Sequence, residues 1–83
     1  MDYTFTEHAR KRIKERSISE ARIREALENP SKILSDDDGR LLIKKVYKKK
    51  GKERLLLIVV TKYQGNLNII TVIETSKVKK YLR

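Results

Sequence analysis

Apolar residues near the start of the chain recur at helical spacing. Phe5, Ala9 and Ile13 lie four residues apart and therefore fall along one side of a helix. Thr6 is a suitable N-cap, because its side-chain oxygen can accept a hydrogen bond from the first turn. The pattern predicts a first helix that starts after Thr6 and ends near Arg16 or Ser17.

A second helix is predicted immediately afterwards. Ser19 is its expected N-cap, and Ile23, Ala26 and Leu27 form its apolar stripe. Residues 29–30 are Asn-Pro and should end it, because the residue before a proline avoids the helical region. The two helices would then form a tight αα-hairpin.

Beyond Pro30 the pattern changes to strands separated by turn residues. The predicted strands cover 32–35, 40–48, 54–63 and 67–75. Asp38-Gly39 is a hairpin signal, and the run LLLIVV predicts a central strand covered on both faces. Residues 76–83 are expected to be a short helix or a tail, and the DYTF segment at the start is a candidate edge strand.

This order of elements predicts one α+β domain over residues 1–83. The αα-hairpin should pack on one face of an antiparallel sheet of about four strands.

Charge narrows the expected partners. The chain has 21 Lys and Arg against 11 Asp and Glu, a net charge of +10, which favours a polyanion and nucleic acid before membrane. The alternative is a domain that simply carries excess surface lysine. With no cysteine, disulfides, thiolate zinc sites and cysteine nucleophiles are excluded. A cytoplasmic location is expected, since no apolar run suggests a membrane span or signal peptide.

Basic residues concentrate in two stretches that also contain tyrosines. Residues 40–54 hold eight basic side chains and one acid, and a second cluster follows at 77–83. Cations bind phosphates and aromatic rings stack on bases, so these stretches are candidates for RNA binding. The alternative is a solvated hairpin whose lysines protect a strand edge. The candidate nucleic-acid-binding residues are Lys44, Lys45, Tyr47, Lys48, Tyr63, Lys77, Lys79 and Lys80.

The first helix carries three further polar candidates. His8, Arg12 and Arg16 are spaced by four residues, and both arginines border the apolar stripe. One interpretation is structural: the arginines pair with carboxylates and brace the helix, and His8 orders its start. The other is that the helix presents these side chains to a ligand.

The stretch HAxxRxxxRxI at residues 8–18, followed by SEARIREALENP, resembles a small bacterial and archaeal family known only as a domain of unknown function. That family is grouped with the RelE/ParE/BrnT-like toxin superfamily. The ending TSKVKKYL is also similar to the C-termini of such toxins. The resemblance implies helices on a curved antiparallel sheet. It also implies metal-independent mRNA cleavage, often on the ribosome, in RelE-like members, and gyrase inhibition in ParE-like members.

RNA cleavage without a metal uses the 2′-hydroxyl as nucleophile and needs cations, a base and an acid. The chain supplies cations at Lys45, Arg54 and Arg12. His8, Glu74, Tyr63 and Tyr81 are acid or base candidates. The predicted catalytic residues are Arg54, Lys45, Tyr81 and His8.

We therefore expect a RelE-like toxin that binds RNA, such as ribosome-bound mRNA, and acts as a metal-independent endoribonuclease. No cofactor and no metal is expected, and the expected protein partner is an acidic antitoxin. The alternatives are a non-catalytic nucleic-acid-binding module and a protein-interaction toxin of the gyrase-inhibitor type.

Overall fold

The structure, a computed structural model, describes residues 3–82 and all their side chains except that of Tyr63. Asp2 of the DYTF segment and Arg83 of the C-terminal basic cluster lie outside this range. The elements in chain order are β1 (Tyr3–Phe5), α1 (Glu7–Glu15), α2 (Glu20–Glu28), β2 (Lys32–Ser35), β3 (Arg40–Lys49), β4 (Lys52–Tyr63), β5 (Asn66–Thr75) and α3 (Val78–Leu82).

Both helices of the αα-hairpin begin at the predicted N-caps. Thr6 Oγ1 accepts a hydrogen bond from the Ala9 amide at 3.1 Å, and Ser19 Oγ accepts one from the Arg22 amide at 3.3 Å. These oxygens satisfy amides that the first turn of a helix leaves unpaired. Ser17 has a φ of 52°, and this left-handed residue turns the chain directly from α1 into α2.

The predicted hairpin turns are also present. Lys50 and Gly51 have φ values of 54° and 80°, and Gln64 and Gly65 have 49° and 82°. Two consecutive residues at positive φ are typical of the tight turns whose twist matches that of paired strands. The turns therefore set the register of β3 against β4 and of β4 against β5.

All five strands join one sheet in the order β1-β5-β4-β3-β2. Four of them are antiparallel neighbours, as the sequence predicts. The prediction of about four antiparallel strands is corrected at one edge, where β1 pairs parallel with β5 and Phe5 lies opposite Ile69. The sheet is therefore mixed. After β1 the chain passes through the two helices and strands β2 to β4, and only β5 comes to lie beside β1.

The face of the sheet that carries α1 and α2, the inner face, holds the main core. Ala9, Ile23 and Leu27 are buried there, with Phe5 and Ile13 partly buried against them, which matches the predicted packing of the hairpin in outline. The sheet contributes Ile43, Tyr47, Leu56, Ile58, Val60, Leu67, Ile69 and Val72.

The opposite face, the outer face, is covered less completely. α3 contacts β4, and Leu55 is fully buried although it lies on this side. Leu57 and Val59 stay partly exposed. The central strand β4 is thus covered on both faces, in full on one and in part on the other. Within residues 3–82, every helix is too short or too polar to cross a membrane.

Candidate functional site

Arg12 on α1 and Arg16 at the C-cap of α1 lie four residues apart and border a small cavity against the sheet. The cavity has a volume of about 100 Å³, and β5 supplies Val72, Ile73 and Glu74 to its wall. Nε of Arg12 is buried and has no hydrogen-bond acceptor among residues 3–82. A buried donor without an acceptor is costly. The cavity therefore suits an anionic ligand that accepts hydrogen bonds from arginine.

Glu74 faces this cavity from a position between several donors. The Tyr47 hydroxyl donates a hydrogen bond to Glu74 Oε2. Arg54 Nε lies 3.2 Å from Glu74 Oε1, and Lys49 Nζ lies 3.9 Å from the same oxygen. Strand register explains the grouping: Tyr47 lies opposite Arg54, and Glu74 lies opposite Leu56, all on the inner face.

Tyr47 is a neutral donor in this arrangement. Burial raises the pKa of Tyr47 to about 12, and the hydrogen bond to the Glu74 carboxylate acts in the same direction. The Arg22 guanidinium lies 4.0 Å from the centroid of the Tyr47 ring and opposes that rise. At neutral pH the phenol therefore stays protonated and donates a hydrogen bond to the Glu74 carboxylate.

Five cations lie close to Glu74 or to its hydrogen-bond donor Tyr47. We use the term arginine cluster for Arg12, Arg16, Arg22, Lys49 and Arg54 together with Glu74 and Tyr47. The positive charge of this set exceeds its negative charge by four, which favours the binding of an anion. Guanidinium and ammonium groups donate charge-assisted hydrogen bonds to phosphate and carboxylate oxygens, so anions of either kind suit these groups.

Two of the four predicted catalytic residues lie near Glu74, but on opposite faces of the sheet. Arg54 belongs to the arginine cluster, and Tyr81 borders Glu74 from the outer face. Lys45 lies apart from them, because its amine donates to the Asn29 carbonyl at 2.8 Å at the end of α2. His8 is exposed on the first turn of α1, one turn before Arg12.

The predicted nucleic-acid-binding residues do not form one surface. Lys44 is buried on the outer face while Lys45 points to the inner face, because consecutive strand residues alternate sides. Tyr47 is only 7% exposed, and the Arg22 guanidinium packs over its ring, so the ring has almost no surface on which a base could stack. Lys48, Lys77, Lys79 and Lys80 are exposed, and the Tyr63 side chain lies outside the described part.

Several members of the arginine cluster were missing from the predicted site. The sequence pattern names Arg16 only together with Arg12, and it does not single out Arg22 or Lys49. Two signals were present in the sequence: the four-residue spacing of Arg12 and Arg16, and the alternation that puts Lys49 on the same strand face as Tyr47.

Metal ligands are not grouped in the described part of the chain. Across residues 3–82, no three His, Asp or Glu side chains converge as a metal site requires. The arginine cluster itself supplies guanidinium, ammonium, phenol and carboxylate groups.

Comparison with known proteins places the chain in a family. A family model described as Domain of unknown function (DUF4258) matches residues 5–74. The chain belongs to this family. No curated protein and no solved structure matches it. The DUF4258 match contains every residue of the arginine cluster and has Glu74 as its last residue, whereas Tyr81 and α3 lie beyond it.

Proposed function

We propose that this chain binds single-stranded RNA and cleaves it without a metal ion, as a toxin-like protein of the RelE superfamily. One observation carries the proposal: Arg12, Arg16 and Glu74 share the wall of one phosphate-sized cavity. The unsatisfied Nε of Arg12 supports an anion as the ligand. The net charge of +10 supports a polyanion as its source.

The proposed reaction is transfer of the phosphate to the neighbouring 2′-hydroxyl. Glu74 takes the hydroxyl proton while the 2′-oxygen bonds to phosphorus. The bond from phosphorus to the 5′-oxygen breaks, and that oxygen takes a proton from water. Arg12, Arg16 and Arg54 stabilise the negative charge that develops on the phosphate oxygens. The products are a 2′,3′-cyclic phosphate and a 5′-hydroxyl.

The RelE-like grouping is part of this proposal. It is supported by the resemblance of the HAxxRxxxR stretch, by two helices on an antiparallel sheet region, and by a short C-terminal helix. An acidic antitoxin is the proposed protein partner, and the positive charge of the chain supports it.

The second candidate is a non-catalytic RNA-binding module, and the contacts of Glu74 favour it. Tyr47, Arg54 and Lys49 already engage both carboxylate oxygens, and the Glu74 side chain is only 15% exposed. In that case Glu74 orders the cations around the phosphate and takes no proton. Both candidates predict binding at the same cavity and differ only in cleavage.

The test is a cleavage assay with the purified chain and three matched 20-nucleotide strands. One strand is RNA, one is the same RNA with a single 2′-deoxyribose at the cleavage position, and one is DNA. We expect cleavage of the RNA in the presence of chelator, and binding without cleavage at the deoxy position. Binding of all three strands with no cleavage would establish the second candidate.

Glu74→Gln separates the roles of the carboxylate. Its amide keeps the shape of the side chain but cannot act as a base, so the rate should fall about 10²–10⁴-fold while RNA stays bound. Unchanged cleavage by Glu74→Gln would exclude Glu74 as the base. Failure of the unchanged chain to bind RNA at low salt would overturn the whole proposal.

A further inference from the structure

A second cavity lies on the outer face, directly across β5 from the arginine cluster. It has a volume of about 210 Å³ and is lined by Leu57, Ile73, Glu74, Thr75 and Tyr81. Its walls are mainly apolar. Tyr81 is 40% exposed, so its aromatic ring is accessible to a ligand, in contrast to the buried ring of Tyr47.

The two cavities share part of their walls. Ile73 and Glu74 border both the arginine-lined cavity and the Tyr81 cavity. In the described part of the chain, β1 pairs with β5 only through residues 67–69, so the later residues of β5 have no strand beside them at this edge. A ligand can therefore contact both cavities by passing over the edge of β5.

We propose that the Tyr81 cavity binds the nucleobase of a nucleotide whose phosphate lies between Arg12 and Arg16. This inference rests on the proposed function, since it extends the same site. The chemistry of the two cavities matches the two halves of a nucleotide: guanidinium groups for the phosphate, and apolar walls with an aromatic ring for the base. Lys80 Nζ lies 5.4 Å from the Tyr81 ring centroid and adds a cation beside the cavity proposed for the base.

The geometry also specifies the form of the nucleic acid. A base can enter the Tyr81 cavity only when it is removed from its stack, which is inexpensive in single strands and costly in a duplex. Tyr81 then acts by positioning the base, and through it the scissile phosphate. The chain should therefore select unpaired nucleotides and should not bind a continuous duplex at this site.

The experiment compares ligands that have or lack a base. The probes are uridine 3′-monophosphate, adenosine 3′-monophosphate and ribose 5-phosphate, each titrated while NMR follows the Tyr81 ring and the Nε–H group of the Arg12 guanidinium. We expect all three to shift Arg12, and only the two nucleotides to shift Tyr81. The nucleotides should also bind more tightly than the base-free sugar phosphate.

Two variants change the outer cavity without touching the arginine-lined one. Tyr81→Ala removes the stacking ring and Leu57→Phe fills the cavity. Stacking on an aromatic ring contributes roughly 5- to 150-fold in affinity, and each variant should remove that gain for the nucleotides. Neither should change the affinity for ribose 5-phosphate. Leu42→Phe, on the same outer face but outside this cavity, is the matched control and should bind the nucleotides like the unchanged chain.

The outcomes separate this inference from the proposed function. If the nucleotides and ribose 5-phosphate bind equally well, the phosphate site stands and the base site is overturned. If Tyr81→Ala and Leu57→Phe keep the full nucleotide preference, the base site is also overturned. If none of the three ligands shifts Arg12, the proposed function and this inference fail together.

Discussion

The tip of the β3–β4 hairpin and the arginine cluster are both strongly basic, but they differ in how their cations are held. At the tip, Lys48, Lys50 and Lys52 are exposed and surround a tight turn. In the arginine cluster, the cations come from α1 and its C-cap, from α2 and from two strand positions, and several of them contact one carboxylate or one ring.

A stretch can therefore be rich in basic residues along the sequence without holding its charges at fixed positions in the folded protein. The tip is the densest basic run in the chain, but its side chains extend into solvent, where screening weakens their action. The arginine cluster draws on residues far apart in the sequence, and folding brings Arg12 and Arg16 to one cavity with Glu74, which also pairs with Arg54 and Lys49. Only the second arrangement is positioned before a ligand arrives, and positioned cations are the ones that stabilise a transition state.

The largest expected difference is in catalysis. Arg54→Ala should lower the single-turnover rate of RNA cleavage about 10²–10³-fold, because a fixed cation near developing charge contributes about 2.7–4 kcal/mol. Lys50→Ala removes the same charge from the tip and should leave that rate unchanged. Similar rate losses in the two variants would show that total charge, and not position, supports the reaction.

A smaller effect is expected on stability. Tyr47→Phe removes the phenol that donates to Glu74, and a hydrogen bond to a charged group contributes about 1.5–3 kcal/mol. The free energy of unfolding, measured with urea, should fall by that amount. Lys50→Ala should change it by less than about 0.5 kcal/mol, as surface substitutions usually do.

The same hydrogen bond predicts a pH dependence. The pKa of Tyr47 is raised from 10.0 to about 12 by folding, so the neutral phenol favours the folded state. This stabilisation is complete below pH 10 and is lost as the pH rises from 10 to about 12. Over that range the unchanged chain should lose more stability than Tyr47→Phe. The variant lacks only the phenol, so it serves as the control for every other group that titrates in this range. Parallel curves for the two proteins would contradict the assignment.

The smallest effect is expected for Lys45, whose amine is fixed by contacts with other residues but lies outside the arginine cluster. Its amine donates to the carbonyl of Asn29 and lies 3.9 Å from Glu25. Lys45→Met should therefore lower the free energy of unfolding by about 0.5–1.5 kcal/mol. The cleavage rate should stay the same, and a rate loss as large as that of Arg54→Ala would place Lys45 in the site.

Much of the fold could be predicted from the sequence because its signals are local. The caps Thr6 and Ser19, the stop at Asn29-Pro30 and the turn glycines each act within a few residues. The parallel pairing of β1 with β5 could not be predicted in the same way. It depends on contacts across the chain, such as the hydrogen bond from Thr6 Oγ1 to the Ile70 carbonyl.

The candidate site was less predictable for the same reason. Arg12, Arg54 and Glu74 were each recognisable as useful groups, but their proximity depends on where α1 packs and on the register of β4 and β5. The separation of Lys44 from Lys45 follows from strand alternation and was available from the sequence. The lysines of the hairpin tip are neighbours in the sequence, whereas the arginines converge only in the folded chain.

The most direct test of the account compares two double variants that each remove two positive charges. Arg12→Gln with Arg16→Gln changes the arginine cluster, and Lys50→Gln with Lys52→Gln changes the tip. Affinity for a fluorescent single-stranded RNA is measured by anisotropy at one fixed salt concentration. We predict that the arginine pair loses affinity about 10²-fold or more, since each contact to a charged group contributes about 1.5–3 kcal/mol, and that the tip pair loses far less. Equal losses in the two double variants would contradict the claim that the arginine cluster is the RNA-binding site.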